Sequence, residues 1–479
     1  MPSTLPGRLP VSGLLLLLAG RAALAQRVPP PGEGHRATAP AYQMERARED
    51  YRYLAHDTSG VPHDLFDPLK FIPLNARKTS YLSLGGEIRP QYQRIGHNDW
   101  GAGEDDPSGY LLERYMLHAD LHLGPHVRVF GQLKSGLTHF KSYAPELTEE
   151  DQFDLHQAFV DVATRPARRG LTLRLGRQEM AYGSSRLISW REAPNVRQTF
   201  DGARLLSYAP GWKLDGFLTR PATTKPGVFD DKPNPSVWFW GLYGVRTLKR
   251  LGGGLDFYYL GFHNQAAHYQ QGTATELRHS VGSRWWGAPG PWRYNVEAVY
   301  QWGHFGSGTI SAWTASGEFG YRFAPQPLRP LLQLRAEYIS GDRSAESADL
   351  QTFNPLFPRG AYFGQAALIG PANLFDLHPV LTLYPARTDA FTLAFDWDFF
   401  WRASLGDGLY RVPYVLNRLG NPSQARYIGD QLTLESDWYV GRHWELELFL
   451  TYFRAGRFLR DSGPGLDQTY GSPRVTFRF

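Results

Sequence analysis

The sequence predicts an all-β protein, a transmembrane antiparallel β-barrel of about eighteen strands closed by its C-terminal strand. Three observations predict it. From Tyr81 onward, apolar and polar residues alternate in segments of roughly ten residues, the length a tilted membrane strand needs. The polar faces of these segments carry full charges, which a wet lumen accepts and a packed sandwich core does not. The chain ends in YGSPRVTFRF, where Val475, Phe477 and Phe479 share one face and Arg474, Thr476 and Arg478 share the other.

The N-terminus comes first in chain order. RLPVSGLLLLLAGRAALAQ has a basic start at Arg8, an apolar core from Val11 to Ala19 and small residues at Ala23 and Ala25. This is the pattern of a secretory signal peptide, residues 1–25, cleaved after Ala25. The mature chain is therefore expected to leave the cytoplasm. Beyond this run no stretch approaches the ~20 apolar residues of a membrane-spanning helix. The absence of cysteine excludes a disulfide scaffold and a thiolate metal site. Residues 26–79 open with RVPPPGEGHRATAP, rich in proline and glycine and expected to be extended. The whole stretch reads as a poorly structured periplasmic leader, with a small plug as the alternative reading.

Residues 80–479 form the predicted barrel. Strand centres fall near residues 87, 116, 132, 158, 174, 206, 216, 242, 258, 280, 297, 317, 335, 378, 395, 434, 449 and 475. In WELELFLTY, Trp444, Leu446, Leu448, Leu450 and Tyr452 oppose Glu445, Glu447, Phe449 and Thr451. In FTLAFDWDFFW, Phe391, Leu393, Phe395, Trp397, Phe399 and Trp401 oppose Asp396, Asp398 and, just beyond, Arg402. In YIGDQLTLESDWYV, Ile428, Leu432, Leu434, Trp438 and Val440 oppose Gln431, Thr433, Glu435 and Asp437. Turn-like links at 123–127, 166–170, 208–212 and 440–444 alternate with longer ones at 98–108, 140–151, 179–201, 221–235, 342–360 and 403–426. Short turns at one end and long loops at the other are the arrangement of an outer-membrane barrel.

The alternative, a soluble β-sandwich, would turn the apolar faces inward. It leaves Arg174, Arg335, Glu337, Glu445 and Glu447 without a wet surface to share. Aromatics near strand ends, namely Tyr81, Trp285, Trp286, Trp292, Tyr300, Trp302, Trp313, Tyr321 and Trp444, read as interfacial girdles. Closure also removes every lipid-exposed sheet edge. Val475, Phe477 and Phe479 then face lipid, and the terminal aromatic matches the C-terminal signal that outer-membrane proteins present to the barrel assembly machinery.

A barrel of this size leaves a channel unless something fills it. The densest polar stretch, residues 173–206, holds Arg174, Arg177, Arg186, Arg191, Arg197 and Arg204 among Glu179, Glu192 and Asp201. Arginine's planar fork suits carboxylate recognition, so such a lumen concentrates anions. The plain alternative is an ion-pair network that stiffens the wall.

Several stretches carry a family likeness: LGRQEMAYGSSRLIS leading into RQTFDGARL, TFNPLFPRGAYFG with IGPANLFDLHP, DWDFFWRASLGDGLY, and YIGDQL. On these the chain resembles the alginate export proteins of the bacterial outer membrane. The resemblance implies a monomeric eighteen-stranded barrel passing a uronic-acid polymer through an arginine-lined constriction. Arg174, Arg177, Arg186, Arg197, Asp201 and Arg204 match the signature that contributes to the pore. Arg335, Arg387, Arg402 and Arg426 are arginines of the later matching strands and loops. Acidic residues are also plentiful on the polar faces, and the leader is outside what the resemblance explains. The expected partners are lipid, the assembly machinery and an anionic saccharide. No cofactor, metal site or nucleic-acid partner is expected: His118 and His122 share a face without a third ligand, GGG at 252–254 lacks a strand–helix context, and no basic patch stands out. The competing functions are a porin for other small solutes and an outer-membrane hydrolase.

Overall fold

The computed structural model describes residues 40–55, 63–164, 170–386 and 389–479, so the signal peptide lies outside the described residues. Eighteen strands pair in chain order. They are β1 Tyr81–Gly96, β2 Tyr110–Leu123, β3 Val127–His139, β4 Asp151–Ala163, β5 Gly170–Gln178 and β6 Phe200–Ala209. Then come β7 Trp212–Thr223, β8 Val237–Leu248, β9 Gly253–Tyr269, β10 Gly272–Gly287, β11 Trp292–Phe305 and β12 Gly308–Arg322. The circuit ends with β13 Leu331–Ile339, β14 Leu374–Leu383, β15 Phe391–Arg402, β16 Tyr427–Val440, β17 Trp444–Ala455 and β18 Gln468–Arg478. Every neighbouring pair is antiparallel, and β1 pairs with β18 through Glu87↔Arg478 and Ile88↔Phe477, which closes the barrel. Each predicted strand centre falls inside an observed strand. The loop before β14 extends to residue 373, and residues 456–467 form a further loop carrying a short helix, Arg457–Ser462, that alternation did not reveal.

Strand parity follows the predicted faces. Leu171, Leu173 and Leu175 of β5 are exposed on the lipid side while Arg174 is buried inside. On β18, Arg474, Thr476 and Arg478 point inward and Val475 and Phe477 outward, as the alternation requires. Phe477 packs on Trp444, 4.7 Å between ring centroids. Three residues depart from the expected faces. Tyr81 lies inward, stacked on His122 at 4.3 Å, and Trp286 lies inward with its indole N–H donating to Asp256 Oδ1 at 2.8 Å. Ile428 is fully buried, because the β15–β16 register shifts between Phe400 and Trp401, next to Gly429 at φ +154°. At the β5–β6 pair, Gly176 has φ +128°, and a Cβ there would lie 2.1 Å from the Ala158 carbonyl oxygen. Only glycine meets that backbone without a clash.

The interior is not uniformly wet. Loops 179–199 and 340–373 fold inward and join, Phe357 N–H donating to Leu187 O and Arg359 N–H to Ser185 O, both at 2.9 Å. They bring Leu187, Ile188, Phe353 and Phe357 against inward aromatics of β6 to β9, including Phe200, Phe217, Phe239, Tyr243 and Phe262. An apolar core therefore fills part of the barrel interior, with buried ion pairs such as Arg284–Asp256 at 3.0 Å among it. An eighteen-stranded cylinder is too wide for wall side chains alone to fill, so loops must do it.

The leader was expected to have little structure. Its described residues instead pack into the short-turn end of the barrel. Arg46 donates to Gly86 O and to Phe479 O, each at 2.7 Å, and so bridges β1 to the end of the chain. Ala47 packs on the stacked rings of Phe130 and Phe159, and its carbonyl accepts from Arg128 at 2.8 Å. Lys70 donates to Leu84 O at 2.8 Å and lies under the rings of Tyr42, Tyr51 and Phe479. The segment is held by hydrogen bonds and cation–π contacts more than by apolar area, which is why hydrophobicity in the sequence did not signal it.

Candidate pore constriction

The charged side of the lumen is built where β1, β2 and β18 face loop 179–199. Alternation points Glu87 and Arg89 of β1, Arg114 of β2, and Arg474 and Arg478 of β18 inward. The loop brings Glu192 and Arg197 to meet them. Arg114 binds Glu87 Oε1 at 2.7 Å and also pairs with Glu192. Arg89 donates to the carbonyls of Glu192 and Pro194, each at 2.9 Å. Arg478 bridges Glu87 at 2.9 Å and Glu445 at 2.6 Å, and Arg474 pairs with Glu447. Arg197 pairs with Glu192 and reaches Glu179 Oε1 at 3.3 Å. Five arginines thus crowd a short stretch of lumen, each held by a carboxylate or a carbonyl.

Electrostatics in the loop follow from this packing. Burial works against the Glu192 charge, yet Arg114 and Arg197 beside it hold its carboxyl down to about 2. Glu179 is fully enclosed, and burial pushes its carboxyl up to about 7 despite Arg197. Two carboxyls thirteen residues apart on one loop are therefore shifted in opposite directions by their surroundings. The side chain of Glu192 remains 19% exposed, so the cluster touches the open lumen there.

A second group of charges lies across the lumen. Arg186, from the same loop, binds Glu337 Oε2 of β13 at 2.7 Å, and Arg335 approaches Glu318 Oε2 at 3.5 Å. Tyr362 of loop 340–373 donates to Glu337 as well. Beyond them β14 to β17 present Asp376, Asp396, Asp398, Glu435, Asp437 and Glu447 inward, an acidic wall that adjoins the arginine wall where Glu447 of β17 pairs with Arg474 of β18.

The predicted pore residues among the described ones divide into four groups. Arg186, Arg197 and Arg335 stand in the charged lumen. Arg174 and Arg204 are inward but spent on the wall: Arg174 is clamped bidentate to Asp161 at 2.7 and 2.9 Å and Arg204 binds Asp215 at 3.1 Å. Arg177 and Asp201 pair with each other at 2.9 Å on the outward face, the side of Leu175 and Ala203, where residues 224–236 cover them. The positive-φ glycines beside them tilt the strands but leave that parity intact. Arg402 and Arg426 anchor the long-loop end: Arg402 donates to carbonyls of Gly420 at 2.9 Å and Ser423 and Ala425 at 2.7 Å, stacked over Phe458. Arg387 lies outside the described residues. Replacing Arg402 with alanine removes the donor on which residues 403–426 converge. Limited proteolysis of intact cells is expected to cut that loop in the variant while the barrel itself keeps its heat-resistant mobility on gels.

Arg89, Arg114, Arg474 and Arg478 were not among the predicted pore residues. The alternation of β18 had already set Arg474 and Arg478 on the polar face, so parity was the signal available for them. Glu192 was seen only as one charge among many, because its role depends on where the loop folds.

Comparisons with known proteins agree with this architecture. The family model described as Alginate export matches residues 80–470. Among solved structures of Pseudomonas aeruginosa, OccK5 (OpdH) matches at 14% identity with a TM-score of 0.51, covering 83% of this chain and 98% of that one. OpdO matches at 12% identity and a TM-score of 0.55, covering 86% and 98%. OpdK, solved with vanillate, matches at 10% identity and 0.55, covering 85% and 99%. At such identities the likeness speaks for the fold alone. No match is found among curated proteins. Fold and family are of the channel type and place the protein in the bacterial outer membrane. Its sequence matches the family from β1 to the start of β18, and the chain belongs to the alginate export family.

Proposed function

We propose that this protein is an outer-membrane channel for anionic saccharides of the uronic-acid type. The observation that carries the reading is the convergence of Arg89, Arg114, Arg197, Arg474 and Arg478 at one level of a lumen otherwise narrowed by loops. A carboxylate-bearing chain entering there meets Arg89, Arg114 and Arg197, which share the loop carboxylate Glu192, while Arg474 and Arg478 stay paired with wall carboxylates. Exchange of the loop carboxylate for a substrate carboxylate needs no new charge in the lumen. It keeps binding weak enough for the substrate to move on. The acidic wall beside it favours a second reading, a porin for small solutes of mixed charge.

Single-channel recording in planar bilayers under a salt gradient separates the two. The saccharide channel shows an anion-selective reversal potential and reversible block by oligouronates. A cation-selective pore indifferent to oligouronates refutes it in favour of the porin. Absence of any conductance from folded protein refutes both.

A further inference from the structure

Among the acidic wall's residues, four are not accounted for by the ion pairs around them. Asp376 and His378 lie two apart on β14 and so share its inward face. Asp396 and Asp398 do the same on β15, the adjacent strand. Asp376, His378 and Asp398 are 2%, 4% and 1% exposed, and each offers a ligand atom within 4.8 Å of the others. The neighbouring cations are already engaged, Arg186 with Glu337 at 2.7 Å and Arg335 with Glu318. That leaves His378 alone between Asp396 and Asp398, its Nδ1 3.1 Å from Asp398 Oδ2. One imidazole, even protonated, offsets at most one of three carboxylates. Among the described residues Asp376 Oδ1 and both oxygens of Asp398 have no hydrogen-bond partner. Buried carboxylates without partners are costly unless a cation meets them.

We propose that Asp376, His378 and Asp398, with Asp396 at the lumen edge, bind a divalent first-row metal ion such as Zn2+. The chemistry of the donor set decides the class. An imidazole nitrogen with two or three carboxylate oxygens suits Zn2+ or Mn2+, whereas Ca2+ and Mg2+ favour all-oxygen sets. Bonds of about 2.0–2.2 Å to nitrogen and oxygen draw the donor atoms together by small side-chain rotations. The Asp396 side chain is 20% exposed, which gives the ion a path from the lumen. Both metal-bearing strands are wall strands, so a bound ion also ties β14 to β15 and adds positive charge to the acidic wall.

The test uses the full-length folded barrel in detergent, stripped of metal and titrated with Zn2+ by isothermal calorimetry. The expected result is about one ion per chain. His378→Ala and Asp376→Asn should each weaken binding at least about tenfold. Glu447→Gln, on the same wall but outside the cluster, leaves it unchanged. Heat-modifiable mobility on gels verifies that each variant is folded. Co2+ supplies a second measurement on the wild-type protein alone, its visible absorption reporting nitrogen and oxygen ligation. No binding to the folded protein overturns the proposal and leaves His378 as an imidazolium shared by two aspartates. Binding that survives both substitutions overturns it as well, since it assigns the ion to other histidines of the surface.

Discussion

Deleting residues 27–79 while keeping the signal peptide is expected to raise single-channel conductance by at least about twofold, because flux is set by the narrowest charged section of a pore. The described residues of this segment, 40–55 and 63–79, pack at the short-turn mouth. Its contacts reach from the closing seam, where Arg46 meets Gly86 and Phe479, to the pore loop, where Arg197 donates to Met44 O at 3.2 Å. Ala47 on Phe130 and Phe159 places the chain within the lumen rather than beneath it. Removing it opens that volume and frees one side of Arg197. Arg46→Ala is the milder version, weakening the two carbonyl contacts without shortening the chain, and should produce brief openings to the larger level. Because the sequence holds no cysteine, Ala47→Cys gives a clean accessibility probe. Labelling by an impermeant thiol reagent should be slow in the otherwise intact chain and fast when Arg46→Ala is added. Conductance equal to wild type in a folded deletion variant would show that the segment does not restrict the path.

Replacing Arg114 and Arg197 together with alanine is expected to convert the pore to cation selectivity and to abolish block by oligouronates. Both guanidinium groups hold Glu192, and Arg114 also holds Glu87. Without them Glu87 keeps only Arg478, at 2.9 Å, and Glu192 only Arg89, at 3.4 Å, and stripping partners from enclosed carboxylates costs up to about 3–5 kcal/mol. Loop 179–199 then has reason to leave the site and carry Glu192 into water. The reversal potential under a salt gradient reads the selectivity directly. Glu192→Gln is the change of opposite sign: it removes the loop carboxylate and keeps every arginine, so anion selectivity should rise. If both substitutions shift the reversal potential in the same direction, the loop and not its charge controls permeation.

How much of this was legible in the sequence depends on the length scale of the cause. The wall is local. In β15, residues two apart share a face whatever the rest of the chain does, so Asp396 and Asp398 could be set against Phe395 and Trp397 by counting. The same counting put Arg474 and Arg478 inside. Counting failed at Ile428, where the register shifts beside Gly429. The family signature had set Arg177 and Asp201 in the pore, whereas they share the outward parity of Leu175. Arg402 looked like a pore arginine because composition cannot tell a lumen side chain from one at the rim that gathers loop carbonyls.

The leader and the loops were beyond such counting. Their fold depends on partners distant in sequence: Arg46 on Phe479, Arg89 on Pro194, Phe357 on Leu187. The few apolar residues near Arg46 read as an absence of structure, although guanidinium bonds to strand carbonyls need little apolar area. The cluster of Asp376, His378 and Asp398 is likewise invisible along the chain, since nearly twenty residues separate its halves and only the pairing of β14 with β15 brings them together. Alternation with period two therefore specifies strands, faces and the barrel they close into, because pleating is a property of neighbouring residues. Which loop enters the lumen, which arginines gather there and where carboxylates crowd are fixed by closure, because only a closed wall brings residues distant in sequence into one enclosed space.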